Sequence, residues 1–398
     1  MPKPSIAVVM TRLPFPRDSG VAHKNYHLIS ALRRDYLVDL VIIDRRRIDE
    51  EDLESTRELV RSVIYLRQSV FEVCIEILRC IFTMTPIQCA FFNSNRLRSV
   101  LKKMADRADL LVGSVGRTWP SLKRFDGPII MDLGDCLTKQ CENNAQNAKT
   151  LRLRAFFLLE SWLMPRIEKQ IVRRSAYSYV FNPNEANWLS NFSPSVRCVP
   201  HGVVTYGADS RNNCDEGPLR SEVVIFGRMD FLPNVDAVEW FLEKVVPLLP
   251  TDMRLIAMGA APKSRLLEMA EKNARLVVTG FVDRPDRILK GAIASLAPVR
   301  LGGGIQNKVI ESLALGVPVL VSPQVMQSLP NFASSGARVC ASPQEWADQI
   351  CELSENPSLR LSTKKAGQSY VDRNFSWHKY MEILRQDVRD VLCGLDLK

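Results

Sequence analysis

The sequence predicts an α/β chain of two doubly wound, parallel-sheet (Rossmann-like) domains that face a crevice. Three observations carry that expectation. The 398 residues suffice for two domains at roughly 100–200 residues each. Short β-branched apolar runs alternate with helical stretches, and apolar strands joined by helical crossovers imply a parallel sheet covered on both faces. The alternation stops once, at a polar stretch, and then starts again.

In the first half the strand signals are Ile6–Met10, Val38–Ile43, Ser62–Leu66, Asp109–Val112, Pro128–Leu133 and Tyr177–Phe181. Helical spacing fills His23–Leu32, Ser69–Phe82, Ser94–Met104 and the long Lys149–Arg174 between them. Val203–Ser221, containing YGADSRNNCDEGPLRS, is polar, bears glycine and has no period, so it reads as a linker. Beyond it Val223–Phe226, Arg254–Met258, Arg275–Thr279, Ile293–Ala297, Pro318–Val321 and Ala337–Cys340 read as further strands. Phe375–Leu395 has helical spacing of Trp377, Tyr380, Ile383, Leu384 and Val388. The expected domains are 1–205 and 206–374, with a terminal helix in 375–398.

Composition narrows the function classes. Hydrophobic residues at 46% and charged residues at 24% exclude disordered, collagenous and coiled-coil chains. Ten cysteines are too sparse for a disulfide scaffold and no signal peptide opens the chain, so a cytoplasmic protein with reduced thiols is expected. No apolar run reaches 18 residues, so no spanning helix is expected.

The formal charge of +9 suits nucleic acid, anionic lipid, phosphorylated ligands or merely scattered surface cations. No long basic tract or aromatic ribonucleoprotein motif supports a nucleic-acid partner. Arg67, Arg79, Arg96, Arg98, Lys102 and Lys103 stand beside Phe71, Ile75, Ile77, Leu78, Ile81 and Phe82. That mixture fits a helix lying peripherally on an anionic membrane, and equally an ordinary half-buried helix with solvated arginines.

The most informative stretch is Ala297–Val321, APVRLGGGIQNKVIESLALGVPVLV, which reads strand, glycine loop, helix, glycine stop, strand. Gly302, Gly303 and Gly304 let backbone N–H groups approach an anion, and the following helix aims its positive end there. Lys308 and Glu311 share one face of that helix, a cation for phosphates and a carboxylate for ribose hydroxyls. The bland reading is a tight turn followed by a surface pair.

Gly227 and Arg228 end the first strand of the second half, where doubly wound folds place ligand contacts. Gly20 precedes a helix after the loop Arg12–Gly20 and allows close backbone approach, or is a plain turn. Asp132 and Asp135 end the fifth strand, where a carboxylate can orient an acceptor hydroxyl or take its proton, or simply cap a turn. His23 and His27 have helical metal spacing without a third ligand, and Cys136 and Cys141 have no second pair, so no metal is expected. The loop TRLPFPRDSG lacks Gly-x-Gly-x-x-Gly, which argues against a dinucleotide oxidoreductase.

These motifs carry a resemblance. The second half resembles the donor domain of family-4 glycosyltransferases, which have the GT-B fold. The matching pieces are the Phe226-Gly-Arg strand end, Val278-Thr-Gly-Phe-Val, the glycine loop with Glu311, and Ala314-Leu-Gly-Val-Pro-Val, together covering most of Glu222–Phe375. Gly304–Glu311 (GIQNKVIE), Met229–Ala237 and the opening Arg12-Leu-Pro-Phe-Pro-Arg-Asp-Ser-Gly are similar to sugar transferases of bacterial exopolysaccharide clusters.

The resemblance implies transfer of a sugar from a nucleotide-diphosphate sugar to a hydroxyl on a glycan or lipid-linked glycan, with retention of configuration and no metal or other cofactor. It further implies that the terminal helix crosses back onto the first domain. Arg228 and Lys308, with the amides of Gly303 and Gly304, are then expected to neutralise the leaving diphosphate. Glu311 is expected to hold ribose, and Gly20, Gly227 and Asn307 to complete the donor site. His201 stands in Val199-Pro-His-Gly-Val, a string that resembles the family's Pro-Asn-Gly turn, and that resemblance implies a structural role.

Three positions depart from the family pattern. Gly303 stands where a Glu is common, Pro233 where a Lys is common, and Gly134 where a His is common before Asp135. They leave a catalytically inactive nucleotide-sugar-binding or assembly protein as the alternative.

Overall fold

The computed structural model describes residues 3–17, 19–146, 148, 150–203, 221–300 and 305–394. The linker read at Val203–Ser221 lies outside these except at its two ends, and so do Gly302, Gly303 and Gly304. The chain divides into two compact units, one of Met1–Gly202 with Trp377–Lys398 and one of Val203–Ser376.

Among the described residues the first unit holds strands β1 (Ser5–Met10), β2 (Leu37–Asp44), β3 (Ser62–Arg67), β4 (Leu110–Ser114), β5 (Ile129–Gly134), β6 (Tyr177–Val180) and β7 (Val196–Cys198). They form one parallel sheet in the order β3-β2-β1-β4-β5-β6-β7. β1 is buried along its whole length because helices cover both faces. The period-two geometry of the strand sends Ile6, Val8 and Met10 to one face, with Leu28, Leu32, Tyr380, Leu384 and Val388. Ala7 and Val9 go to the other, with Leu97, Trp119 and Ile171. The terminal helix Trp377–Cys393 therefore completes the same layer as Gly20–Leu32. Tyr380 Oη donates to Asp132 Oδ2 (2.6 Å) and Tyr179 Oη to Asp387 Oδ2 (2.7 Å), tying that helix to β5 and β6.

The second unit holds β8 (Glu222–Phe226), β9 (Arg254–Met258), β10 (Leu276–Gly280), β11 (Ala294–Ala297), β12 (Val319–Val321) and β13 (Arg338–Val339), parallel in the order β10-β9-β8-β11-β12-β13. Val223 and Ile225 face Phe241, Trp346 and Ile350, while Val224 and Phe226 face Leu289 and Leu315. In both sheets the order reverses beside the first strand, between β1 and β4 and between β8 and β11. Those are the topological switch points where open parallel sheets bind ligands, at the carboxyl ends of the strands.

Each strand read from sequence is present within about two residues at either end. β7 was not anticipated, because Val-Arg-Cys is too short to show alternation. Among the described residues no helix is long and apolar enough to cross a membrane.

Candidate functional site

In the second unit the carboxyl end of β8 turns at Gly227, whose φ of +137° lies where side chains are strained. A Cβ there would sit 2.6 Å from Asn234 Nδ2, and one on Gly259 would sit 1.8 Å from Gly227 O, so the ends of β8 and β9 touch through bare backbone. Asn234, in the first turn of the helix Leu232–Lys244, uses both ends of its amide. Its Nδ2 donates to Arg228 O (2.9 Å), and its Oδ1 accepts from Lys308 Nζ (2.7 Å). One buried amide thus joins the β8 turn to the helix Asn307–Ala314.

Lys308 is 8% exposed, and burial lowers its ammonium pKa from 10.5 to about 8. Its Nζ carries three hydrogens, and Asn234 takes one of them. No carboxylate lies within 4 Å of it among the described residues. A buried ammonium held only by a neutral amide is costly unless something anionic arrives. Asn307 and Glu311 are half-buried on the same helix, Glu311 one turn on from Lys308.

Arg228 is exposed, and its fork closes on Asp230, with Nε–Oδ1 at 3.0 Å and Nη2–Oδ2 at 2.6 Å. Phosphate contact by this side chain therefore requires exchange of that carboxylate. Asn234 is the residue that sequence reading missed as a site member. It lay inside the Met229–Ala237 string but carried no charge to draw attention.

In the first unit Asp132 and Asp135, read together from sequence, separate. Asp132 is fully buried between Tyr380 Oη and Lys24 Nζ (3.2 Å), so it is structural rather than available to an acceptor. Asp135 follows Gly134 (φ +72°), and its carboxyl makes no hydrogen bond among the described residues. Burial raises its pKa, opposed by the nearby charges of His201, Lys24 and Arg117.

The loop carrying Asp135 is held from below. Glu185 Oε2 accepts from Cys136 N (2.7 Å), and Glu168 accepts from Leu137 N (2.6 Å) and Thr138 N (3.3 Å), capping the helix Leu137–Gln146. Burial, aided by the charge of Asp135, pushes Glu185 up to about 8. Glu168 sits inside the helix Leu151–Arg174 and Glu185 in the first turn of Pro183–Ser190, and neither position gave a sign of the role.

Gly20 begins the helix Gly20–Leu32 behind the cap Ser19, whose Oγ accepts from Ala22 N (3.4 Å). His27 stacks on Trp377 (4.2 Å) and burial lowers it to about 4, while His201 packs edge-on against Phe181 and its Nδ1 donates to Gly202 O (2.7 Å). Among the described residues no group of three or more His, Cys, Asp or Glu is placed to hold a metal ion.

Of the apolar residues that fit a membrane-lying and a half-buried helix equally in sequence, the helix Val70–Phe82 leaves Phe71, Leu78, Ile81 and Phe82 exposed. Its arginine neighbours are less available than the sequence suggested. Arg98 and Arg79 pair with Glu76, and Arg96 pairs with Glu72, so Arg67, Lys102 and Lys103 remain as exposed cations outside ion pairs among the described residues. Sequence reading missed a second apolar surface, Leu151, Leu158, Leu159 and Trp162 on the helix Leu151–Arg174. Glu160 of that helix accepts from Ile87 N (2.6 Å), which brings it beside the turn after Val70–Phe82.

Residues 220–356 match the model of the family described as glycosyl transferases group 1. A search of curated proteins returned no match. Among solved structures, sucrose-phosphate synthase from Thermosynechococcus elongatus is similar at 15% identity and a TM-score of 0.68, covering 98% of this chain and 100% of that one. WaaG, a glycosyltransferase involved in lipopolysaccharide biosynthesis, is similar at 14% identity and 0.63, covering 98% and 100%. Anabaena Alr3699/HepE, in a structure with UDP-glucose, is similar at 11% identity and 0.62, covering 97% and 99%. The two parallel-sheet units with their helical C-terminus are the GT-B fold.

Proposed function

We propose that the chain is a glycosyltransferase that moves a hexosyl unit from a nucleotide-diphosphate sugar to a hydroxyl of a glycan or lipid-linked glycan, in cell-surface or exopolysaccharide assembly. The observation that carries this reading is Lys308, a buried cation with a neutral partner at the switch point of the second sheet. The group 1 match over residues 220–356 and the similarity to a structure holding UDP-glucose support it.

On this reading the bond from the anomeric carbon to the diphosphate oxygen breaks, and its electron pair leaves with the nucleotide diphosphate. The acceptor oxygen forms the new bond and gives up its proton, and the family resemblance implies retention of configuration. Lys308, Arg228 released from Asp230, and the amides of Gly303 and Gly304 meet the charge that develops on the leaving group. Asn234 fixes Lys308, Glu311 holds ribose, and Gly20, Gly227 and Asn307 let the donor approach. Asp135, made more basic by burial, orients the acceptor hydroxyl and receives its proton. With phosphate charge met by protein cations and a helix N-terminus, no divalent ion is required. Peripheral contact with the cytoplasmic membrane face is part of this proposal, supported by the exposed apolar side chains of Val70–Phe82 and Leu151–Arg174.

The competing reading is nucleotide-sugar binding without transfer, favoured by the Arg228–Asp230 pair and by Gly134 and Gly303. Calorimetry and product analysis with UDP-glucose in excess chelator test both. Lys308→Ala and Glu311→Ala are each expected to weaken nucleotide binding by about tenfold or more, the loss of one charge-assisted contact. Unchanged affinity in both variants would sink the donor site, and binding without any product would favour the competing reading.

A further inference from the structure

A second set of cations surrounds the switch point of the first sheet, where Arg12 follows β1, Arg45 and Arg46 follow β2, and Arg117 follows β4. They line a cavity of about 600 Å³ together with Phe91 and Phe92. Its one carboxylate, Asp44, is already engaged by Arg46, through Nε (3.1 Å) and Nη2 (2.8 Å). Arg45 lies over the Phe91 ring at 5.4 Å and forms no ion pair among the described residues. Arg117 lies over Phe92 at 5.9 Å, and its hydrogen bonds go to neutral amides, Nε to Gln88 Oε1 (3.1 Å) and Nη2 to Gln140 Oε1 (3.0 Å). Its Nη1 meets no acceptor among the described residues.

Two guanidinium groups are therefore oriented by aromatic faces and amides, and neither is held in an ion pair among the described residues. A neutral glycan offers them no counter-charge, and a carboxylate offers two oxygens in one plane. A phosphate offers several oxygens in different directions, which suits forks arriving from β2 and β4 together.

We propose that this cavity binds a phosphate group carried by the acceptor sugar. The proposal rests on the transferase reading above and names its acceptor class. Asp135, to which the transferase reading assigns the acceptor's proton, lies close enough to Arg117 for their charges to interact.

The test is calorimetry on the full chain with the donor site saturated by UDP. Glucose 1-phosphate is expected to bind at least about tenfold tighter than methyl α-glucoside, and Arg45→Gln, at an exposed position, to remove about tenfold of that affinity while leaving UDP binding unchanged. Arg117→Gln should act in the same direction, with the melting temperature showing that it folds. Equal affinity for the two sugars, no effect of Arg45→Gln, or complete displacement of glucose 1-phosphate by UDP would overturn the proposal. A chain that fails to bind UDP but still prefers glucose 1-phosphate would instead refute the donor reading. Glucose linked to farnesyl diphosphate separates the phosphate's sources: tighter binding assigns a lipid-linked acceptor, and equal binding a soluble phosphosugar.

Discussion

Lys308 destabilises the unit that contains it, and the sign of that effect can be worked out. Its pKa is about 8 in the folded chain against a lysine's ordinary 10.5, so between those values the unfolded chain binds more protons. Stability from this residue therefore rises as pH climbs through that window, and below about 8 the full penalty stands. Lys308→Met removes the penalty and the hydrogen bond to Asn234, for a net stabilisation of about 1–2 kcal/mol at neutral pH. Urea denaturation of both proteins at pH 7 and pH 9.5 checks this, with the advantage shrinking at the higher pH. A variant less stable than its parent at pH 7 would mean that the ammonium already has a counter-charge. Lys308 and Glu311 were legible as a pair because helix spacing is local. The partner Asn234 was not, being 74 residues away and joined only when β8 and β11 lie side by side.

Elements set the geometry in which such residues act. At the β8 turn, Gly227→Ala adds a Cβ at φ +137° that collides with Asn234 Nδ2, displacing the amide that holds Lys308. The expected destabilisation is about 1–3 kcal/mol, together with weaker nucleotide binding, as read by thermal melting and calorimetry. Retention of parental affinity would show that Asn234 does not position Lys308. The helices Val70–Phe82 and Leu151–Arg174 present exposed rings at Phe71, Phe82 and Trp162. Replacing all three with Ser should sharply reduce sedimentation with phosphatidylglycerol vesicles and leave the melting temperature nearly unchanged. Here the sequence showed the first apolar stripe clearly. It concealed that Arg96 and Arg98 are held by Glu72 and Glu76, since those two pairings depend on two helices meeting.

For the whole molecule, the terminal helix matters most to the first unit. Tyr380, Leu384 and Val388 are each 1% exposed or less within its core, and Tyr380 closes the hydrogen bonding of Asp132. Removal of residues 375–398 is expected to uncover that face, leaving Asp132 with Lys24 alone and Tyr179 without Asp387. The truncated chain should lose several kcal/mol from the unit that contains β1 to β7, since each large buried side chain removed costs about 2–5 kcal/mol. Hydrogen exchange should report lost protection in β1 and β5 with β8 to β12 still protected. Protection retained throughout would show the helix to be an accessory.

The sequence by itself determined the class of fold, nearly all of its strands and the helix that bears Lys308 and Glu311. Those features are written in periods of two and 3.6 residues and in glycine placement, which are local properties of the chain. Tertiary structure decided which of the marked charges are free to act. It withdrew Asp132 into a core network while leaving the Asp135 carboxyl without a hydrogen bond among the described residues, and it closed Arg228 on Asp230. It also gathered Arg45 and Arg117, which follow different strands, around one cavity. A charge's role depends on its solvation and its partners, and parallel strands bring those partners from residues far apart in the chain.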